Sequence, residues 1–489
     1  MAMAETTTGP VMGRLKEGVL LFAGIPYAAP PVDGLRFRAA LPHPAWTDVR
    51  PALKFGAAAP QVATGGLTDG APARWNEDCL TLNITTPALD TGHRPVLVWI
   101  HGGGYRTGQG AIPWYNGARF AANGDIVVVS INYRLGALGF TDLSRFGEQY
   151  ASSGVNGILD QITALTWVRD NITHFGGDPK KVTIAGESAG GFAVSTLLGC
   201  PCAQGLFRAA IAQSGAAHHT LPAEAGEKVA DRFLDVLGVN DAIGIDAIDV
   251  GAILKAQQTV SDELEGPAGA LTKLGVAVSA FYPVVGNEIL PQSPLTAIQS
   301  GMGAEIPLLI GSNRHETTLW GYGEVDDPKL DRMVANFGAG KTLAVYRSQR
   351  PRATPQDLMI ALTTDHMFRI PAIRLVEARE PHGAKSWMYW FCWESRAFGG
   401  TLKATHALEI PFAFDNLDRG GVEVFLGEGP APQTVADDMH RAWTGFIRDG
   451  DPGWAPYASQ SRTTMRFAEP SELIDDPDGL ERAAWEGIR

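Results

Sequence analysis

The chain has 489 residues and a net charge of −13, with 45% hydrophobic and 19% charged residues. That balance describes a well-cored globular protein, and it excludes disordered and fibrous chains. No basic run interleaves with aromatics, so nucleic acid is not an expected partner, and no stretch of about 18 apolar residues suggests a membrane span.

The first segment, Met1 to Arg14, is small and polar and lacks the apolar stretch of a secretory signal. The expectation is therefore a cytoplasmic protein. Short apolar runs and turn signals alternate through the first third of the chain. Pro95–Ile100 (PVLVWI) and Ile126–Ile131 (IVVVSI) are β-branched runs of buried-strand length. Directly after the first of these comes His101-Gly102-Gly103-Gly104-Tyr105, a loop of the HGGG type whose glycine N–H groups can turn into a cleft.

Between Asn156 and His174 the apolar positions Ile158, Ile162, Leu165 and Ile172 fall at helical spacing, and Gly176-Gly177-Asp178-Pro179 ends the pattern. Lys181–Ala185 (KVTIA) then predicts a strand. It is followed by Gly186-Glu187-Ser188-Ala189-Gly190 and a helical stretch through Leu198. This strand, sharp turn and helix around G-x-S-x-G make Ser188 the candidate nucleophile. The flanking glycines let the backbone fold back on itself, and the helix dipole favours negative charge at the turn. Losing a backbone oxyanion donor typically costs about a hundredfold to a thousandfold in turnover. The donors expected here are the N–H groups of Gly103, Gly104 and Ala189.

Helical signals dominate from Leu221 to Lys273, strand signals resume at Ile306–Gly311 (IPLLIG), a helical stretch covers Gln356–Ala378, and Lys385–Phe391 (KSWMYWF) predicts a late strand. The alternation implies an α/β class with a large, mostly parallel central sheet. The expected organisation is one domain over residues 1–489, with helical insertions around 221–275 and 325–380.

A serine hydroxyl needs a histidine base, and the histidine needs a carboxylate partner. In this fold the chain order is serine, acid, histidine. Of His315, His366, His382, His406 and His440, His366 and His440 fall in helical patterns and His382 in a Pro-His-Gly turn, whereas His406 lies on a loop just after the late strand and is the favoured base. Glu316, just after IPLLIG, is the favoured acid, with Asp326 and Asp327 as alternatives. Four cysteines, Cys79, Cys200, Cys202 and Cys392, are too few for a disulfide scaffold and lack the spacing of a zinc site. No metal and no organic cofactor is expected.

Taken together, these motifs resemble the type-B carboxylesterase family, which includes bacterial para-nitrobenzyl esterases and the cholinesterases. Further matching segments are Phe22–Ala28, Leu35-Arg36-Phe37, Glu77–Asn83 (EDCLTLN), Asn132-Tyr133-Arg134, Gln213-Ser214-Gly215 and His406–Phe412. The resemblance implies an α/β-hydrolase fold with helical insertions over the cleft, and a triad of Ser188, Glu316 and His406. Glu187 and Ser214 are expected to support that triad, although an ordinary structural serine reads the same as Ser214. Tyr105, His218, Trp320 and Phe398 are expected along the substrate pocket. The implied activity is hydrolysis of small to medium, largely apolar carboxylic esters through an acyl-enzyme, by a monomer or weak homo-oligomer. Carbamate or amide hydrolysis by the same triad and a non-catalytic binding module are the competing readings. Three departures stand out against the family pattern: Cys79 has no upstream cysteine, His315 precedes Glu316 where aspartate is common, and Gly286 stands where the family usually has aspartate.

Overall fold

A computed structural model of the chain describes residues 1–62, 73–239, 242, 244–265 and 279–489. The part of the expected 221–275 insertion beyond residue 265 lies outside the described residues. Within them, the strands are β1 (Ala2–Ala4), β2 (Val11–Lys16), β3 (Val19–Pro26), β4 (Arg50–Pro51), β5 (Thr81–Thr86), β6 (Arg94–Ile100) and β7 (Val127–Ile131). They continue with β8 (Gly177–Glu187), β9 (Ala209–Gln213), β10 (Leu308–Asn313), β11 (Ser386–Phe391), β12 (Thr464–Phe467) and β13 (Glu472–Ile474).

One sheet runs β1-β2-β3-β5-β7-β6-β8-β9-β10-β11-β12-β13, with β4 beside β2. The strands from β7 to β12 pair in parallel, and the outer strands on both sides are antiparallel except for β4, which pairs in parallel with β2. The inner strands are buried on both faces: every residue of β7, β9, β10 and β11 is buried. That explains why they read in sequence as unbroken apolar runs. This is the α/β-hydrolase fold.

Helices cover the sheet. Asn156–Asn171, Ala189–Leu198 and Gln433–Asp449 pack on it. A second group, Asp327–Asn336, Gly340–Gln349, Pro355–Thr364 and Ile370–Arg379, follows β10. The last two join through a π-helical turn at Asp365–Arg369, where the sequence pattern predicts one continuous helix. A π-turn inserts a residue into the helical ladder and re-aims the side chains on it.

An ion pair ties the loop after β7 to the helix Asn156–Asn171. The Arg134 Nε and Nη2 donate to Asp160 at 2.8 and 2.7 Å, and both side chains are fully enclosed. Arg134 Nη1 donates to the Arg38 carbonyl at 2.6 Å. Among the described residues no helix is long and apolar enough to cross a membrane.

Candidate active site

In an open parallel sheet, sites form beyond the carboxyl ends of the strands, where the strand order reverses. Here β6 lies between β7 and β8, so the chain leaves β6 toward one side and returns on the other. The His101–Gly104 loop follows β6, and Ser188 follows β8. The two are therefore neighbours at that switch.

Ser188 has φ 55° and ψ −122°, a conformation that a non-glycine residue adopts only under constraint. The constraint is visible in the packing. Ser188 N–H donates to the Gln213 carbonyl at 2.9 Å, and the Ser188 carbonyl accepts from Phe192 N at 2.8 Å. A Cβ on Gly190 would stand 2.0 Å from the Ile100 carbonyl oxygen, so only glycine lets the turn press against β6. Ala189 is the first residue of the following helix, and its N–H has no intrahelical acceptor.

The glycine loop touches the turn. A Cβ on Gly102 would lie 3.1 Å from the Ser188 Cβ. Gly103 and Gly104 have φ of 109° and 62°, and the Gly103 carbonyl is held by Arg106 N and Thr107 N, each at 3.0 Å. Among the described residues, neither glycine N–H donates to a backbone acceptor. His101 stacks on Tyr133 at 4.6 Å, and its Nδ1 lies 2.8 Å from the Gly102 carbonyl; it braces the loop.

Beyond β10 and β11, Glu316 and His406 meet. His406 Nδ1–H donates to Glu316 Oε2 at 2.5 Å, and Glu316 Oε1 accepts from Ser214 Oγ at 2.6 Å and from Asn313 N at 2.7 Å. Both oxygens of a fully buried carboxylate are thus satisfied. The alternative acids are engaged elsewhere. Asp326 caps the helix Asp327–Asn336 through Lys329 N, and Asp327 pairs with Arg347 at 2.7 Å. The alternative histidines are occupied too: His382 contacts the Gln299 carbonyl, His440 the Ala413 carbonyl, and His366 stacks on Phe337 at 3.8 Å. His315 sits 3.9 Å from Glu394, outside this cluster.

Two more buried carboxyl groups surround His406. Glu187 Oε1 comes within 3.1 Å of His406 Nε2 without the alignment of a hydrogen bond. Glu409 Oε2 accepts from Asn313 Nδ2 at 2.6 Å and its Oε1 from Gln213 Nε2 at 3.2 Å. Burial pushes the Glu187 carboxyl up to about 8 and that of Glu409 up to about 7. For His406 burial acts downward, but the carboxylates of Glu187, Glu316 and Glu409 outweigh it and hold the imidazole up to about 9.

The aromatic surroundings extend from the same histidine. Trp320, 52% exposed, and Phe368 each place a ring 5.0 Å from His406, and the two rings are parallel at 6.1 Å. Tyr105 is buried against Tyr133, Phe140 and Tyr282. His218 lies beyond Ala217 on the loop after β9, next to a buried His219 that stacks on Phe192 at 3.5 Å. Phe398, 60% exposed on the loop after β11, has no aromatic partner among the described residues. The sequence had singled out neither Phe368 nor Phe192 nor Asn313. Glu409 was legible only as part of the segment after His406.

The carboxylesterase family profile matches residues 1–479. The chain belongs to the carboxylesterase family. Among its family relatives, the para-nitrobenzyl esterase of Bacillus subtilis (strain 168) is 36% identical over 98% of this chain and 97% of its own length. Phenmedipham hydrolase of Pseudarthrobacter oxydans is also 36% identical, over 98% of this chain and 96% of its own. The crystal structure of the Geobacillus stearothermophilus carboxylesterase EST55 at pH 6.2 superposes with a TM-score of 0.87 at 37% identity, covering 99% of this chain and 100% of that one. All four cysteines of this carboxylesterase-family chain are free, Cys79 and Cys200 being buried.

Proposed function

We propose that the chain hydrolyses carboxylic esters through Ser188, His406 and Glu316, by way of an acyl-enzyme. One observation carries the reading: a histidine bound through Nδ1 to a buried glutamate leaves Nε2 without a hydrogen-bond partner, 3.1 Å from the carboxyl of Glu187, the residue just before a serine on a strained strand-to-helix turn.

His406 Nε2 takes the Ser188 hydroxyl proton as Oγ attacks the ester carbonyl carbon. The carbonyl π electrons move onto oxygen, where the N–H groups of Gly103, Gly104 and Ala189 receive the charge. Collapse of the tetrahedral species breaks the bond to the alcohol oxygen, which leaves with the proton from His406. Water then repeats the sequence on the acyl-serine and frees the acid. Glu316 fixes the histidine tautomer and stabilises the imidazolium, and the hydrogen bonds of Ser214 and Asn313 keep that carboxylate in place. Trp320 and Phe368 offer an apolar wall suited to small and medium esters. We read His218 on the far side of the cleft and Phe398 at its outer rim, while Tyr105, expected along the pocket, is fully buried against Tyr133, Phe140 and Tyr282. We read residues 1–489 as one hydrolase domain carrying the helical insertions.

The deciding experiment labels the protein with a fluorophosphonate and maps the adduct, alongside turnover of a short-chain nitrophenyl ester. Labelling at Ser188 and loss of turnover in Ser188→Ala are the expected results. An adduct elsewhere, or turnover that survives the substitution, would overturn the assignment.

A further inference from the structure

The sequence pattern over Gln356–Ala378 is that of one helix, yet the chain inserts a π-helical turn at Asp365–Arg369. An α-helix advances by about 100° per residue, so one inserted residue re-aims the side chains around it. The side chain that matters is Phe368. Its ring lies 5.0 Å from His406, parallel to Trp320 at 6.1 Å, and within 17° of parallel to Phe192 at 6.4 Å. Only 2% of Phe368 is exposed, so it backs His406 and Trp320 from within.

A π-turn is rare, and it persists where its surroundings hold it. Asp365, the first residue of this one, is buried and receives two donors. The Tyr346 hydroxyl donates to its Oδ2, and Arg369 Nη1 lies 3.3 Å from the same oxygen and 3.4 Å from Oδ1. Tyr346 comes from the helix Gly340–Gln349, and its hydroxyl accepts in turn from Trp485 Nε1 at 2.8 Å. Both rings are fully buried. At the far end of the turn, Arg369 Nη2 donates to the Pro477 carbonyl, and the guanidinium lies over the Trp390 ring at 5.0 Å. A buried network with donor and acceptor matched at each step rigidifies what it holds.

What it holds is the ring behind the base. Phe368 stands three residues after Asp365 on the same turn. The hydrogen bond from His406 Nδ1 to Glu316 pins one edge of the imidazole, which leaves the Nε2 edge able to swing. Trp320 and Phe368, each 5.0 Å away, limit that swing.

We infer that Tyr346, Asp365 and Trp485 are positioning residues for the base: they lock the π-turn, and through it Phe368 holds the His406 ring in place. The inference rests on the ester-hydrolase reading for its turnover part alone.

Tyr346→Phe keeps the buried ring and removes only the oxygen that joins Trp485 to Asp365. It should lower kcat for ethyl butyrate about tenfold while KM changes less than about twofold. Phe368→Leu should act likewise. Adding Tyr346→Phe to Phe368→Leu should then cost less than about a further twofold, because the hydroxyl works through that ring. Trp485→Phe removes the donor at the other end of the network and serves if Tyr346→Phe does not fold. Equal losses from Tyr346→Phe in both backgrounds, as a merely structural role implies, or unchanged kcat in the folded single variants would overturn the inference. The ring-proton resonances of His406, assigned by their absence in His406→Gln, sense the flanking aromatic rings independently of turnover and should shift in Tyr346→Phe. Unshifted resonances would also overturn the positioning role. A shift in a chain that hydrolyses no ester would leave the positioning role standing and defeat the hydrolase reading instead.

Discussion

The Glu187 carboxyl approaches to 3.1 Å of His406 Nε2, the nitrogen that Glu316 leaves free. A base at this position must be neutral to accept a proton, yet the surrounding carboxylates favour its charged form. Each group therefore titrates in the field of the other. With the imidazole held up to about 9 against its own burial, kcat/KM for a neutral ester should climb through neutral and into alkaline pH. Glu187→Gln removes one of the charges that stabilise imidazolium, so the climb should move to lower pH by about one unit or more. A pH–rate profile identical to that of the parent chain would refute the role.

Glu316 accepts three hydrogen bonds and is fully buried, so its conversion to an amide disturbs tautomer and charge more than shape. Glu316→Gln should lower kcat by about a thousandfold or more, with little change in KM. Ser214→Ala removes one of the three bonds and should reduce kcat more modestly, about tenfold. Steady-state kinetics on one nitrophenyl ester, with melting temperatures as a control, separates the two. A Ser214 variant as damaged as Glu316→Gln would point to a collapse of the whole cluster.

The glycine loop makes a sharper distinction. A Cβ on Gly103 would stand 2.2 Å from the Thr107 carbonyl oxygen, whereas one on Gly104 meets nothing within 4 Å. Gly103→Ala should displace the loop and cost about a hundredfold in kcat. Gly104→Ala carries only the strain of its positive φ, about 1–2 kcal/mol, and should keep more activity. Equal losses in kcat would mean that loop position is not what sets turnover.

Stability should respond elsewhere. Asp160→Asn strands the Arg134 guanidinium in a site where both partners are enclosed, and breaking such a pair costs about 3–5 kcal/mol. Chemical denaturation should show that loss through a lower midpoint.

How much of this was visible in the sequence depends on the kind of signal. The strands around Ile100, Ile131, Ala185, Gly311 and Phe391 were legible because a strand buried on both faces must be apolar throughout. Ser188 and the glycine loop were legible because strained backbone needs glycine at fixed offsets. Phe368 was hidden, since its aim depends on the π-turn, which leaves no trace in apolar spacing. Trp485 was equally silent: its partner Tyr346 and the Asp365 beyond it come from separate helical segments, and only the closed fold brings them together.

The order of these residues along the chain has a consequence for biosynthesis. Ser188, Glu316 and His406 sit beyond β8, β10 and β11, three strands of one continuous run that the chain supplies in that sequence. With the proposed triad, an emerging polypeptide holds its nucleophile and glycine loop long before its base. A hydrolase arranged this way stays inert on the ribosome until most of its length has been made.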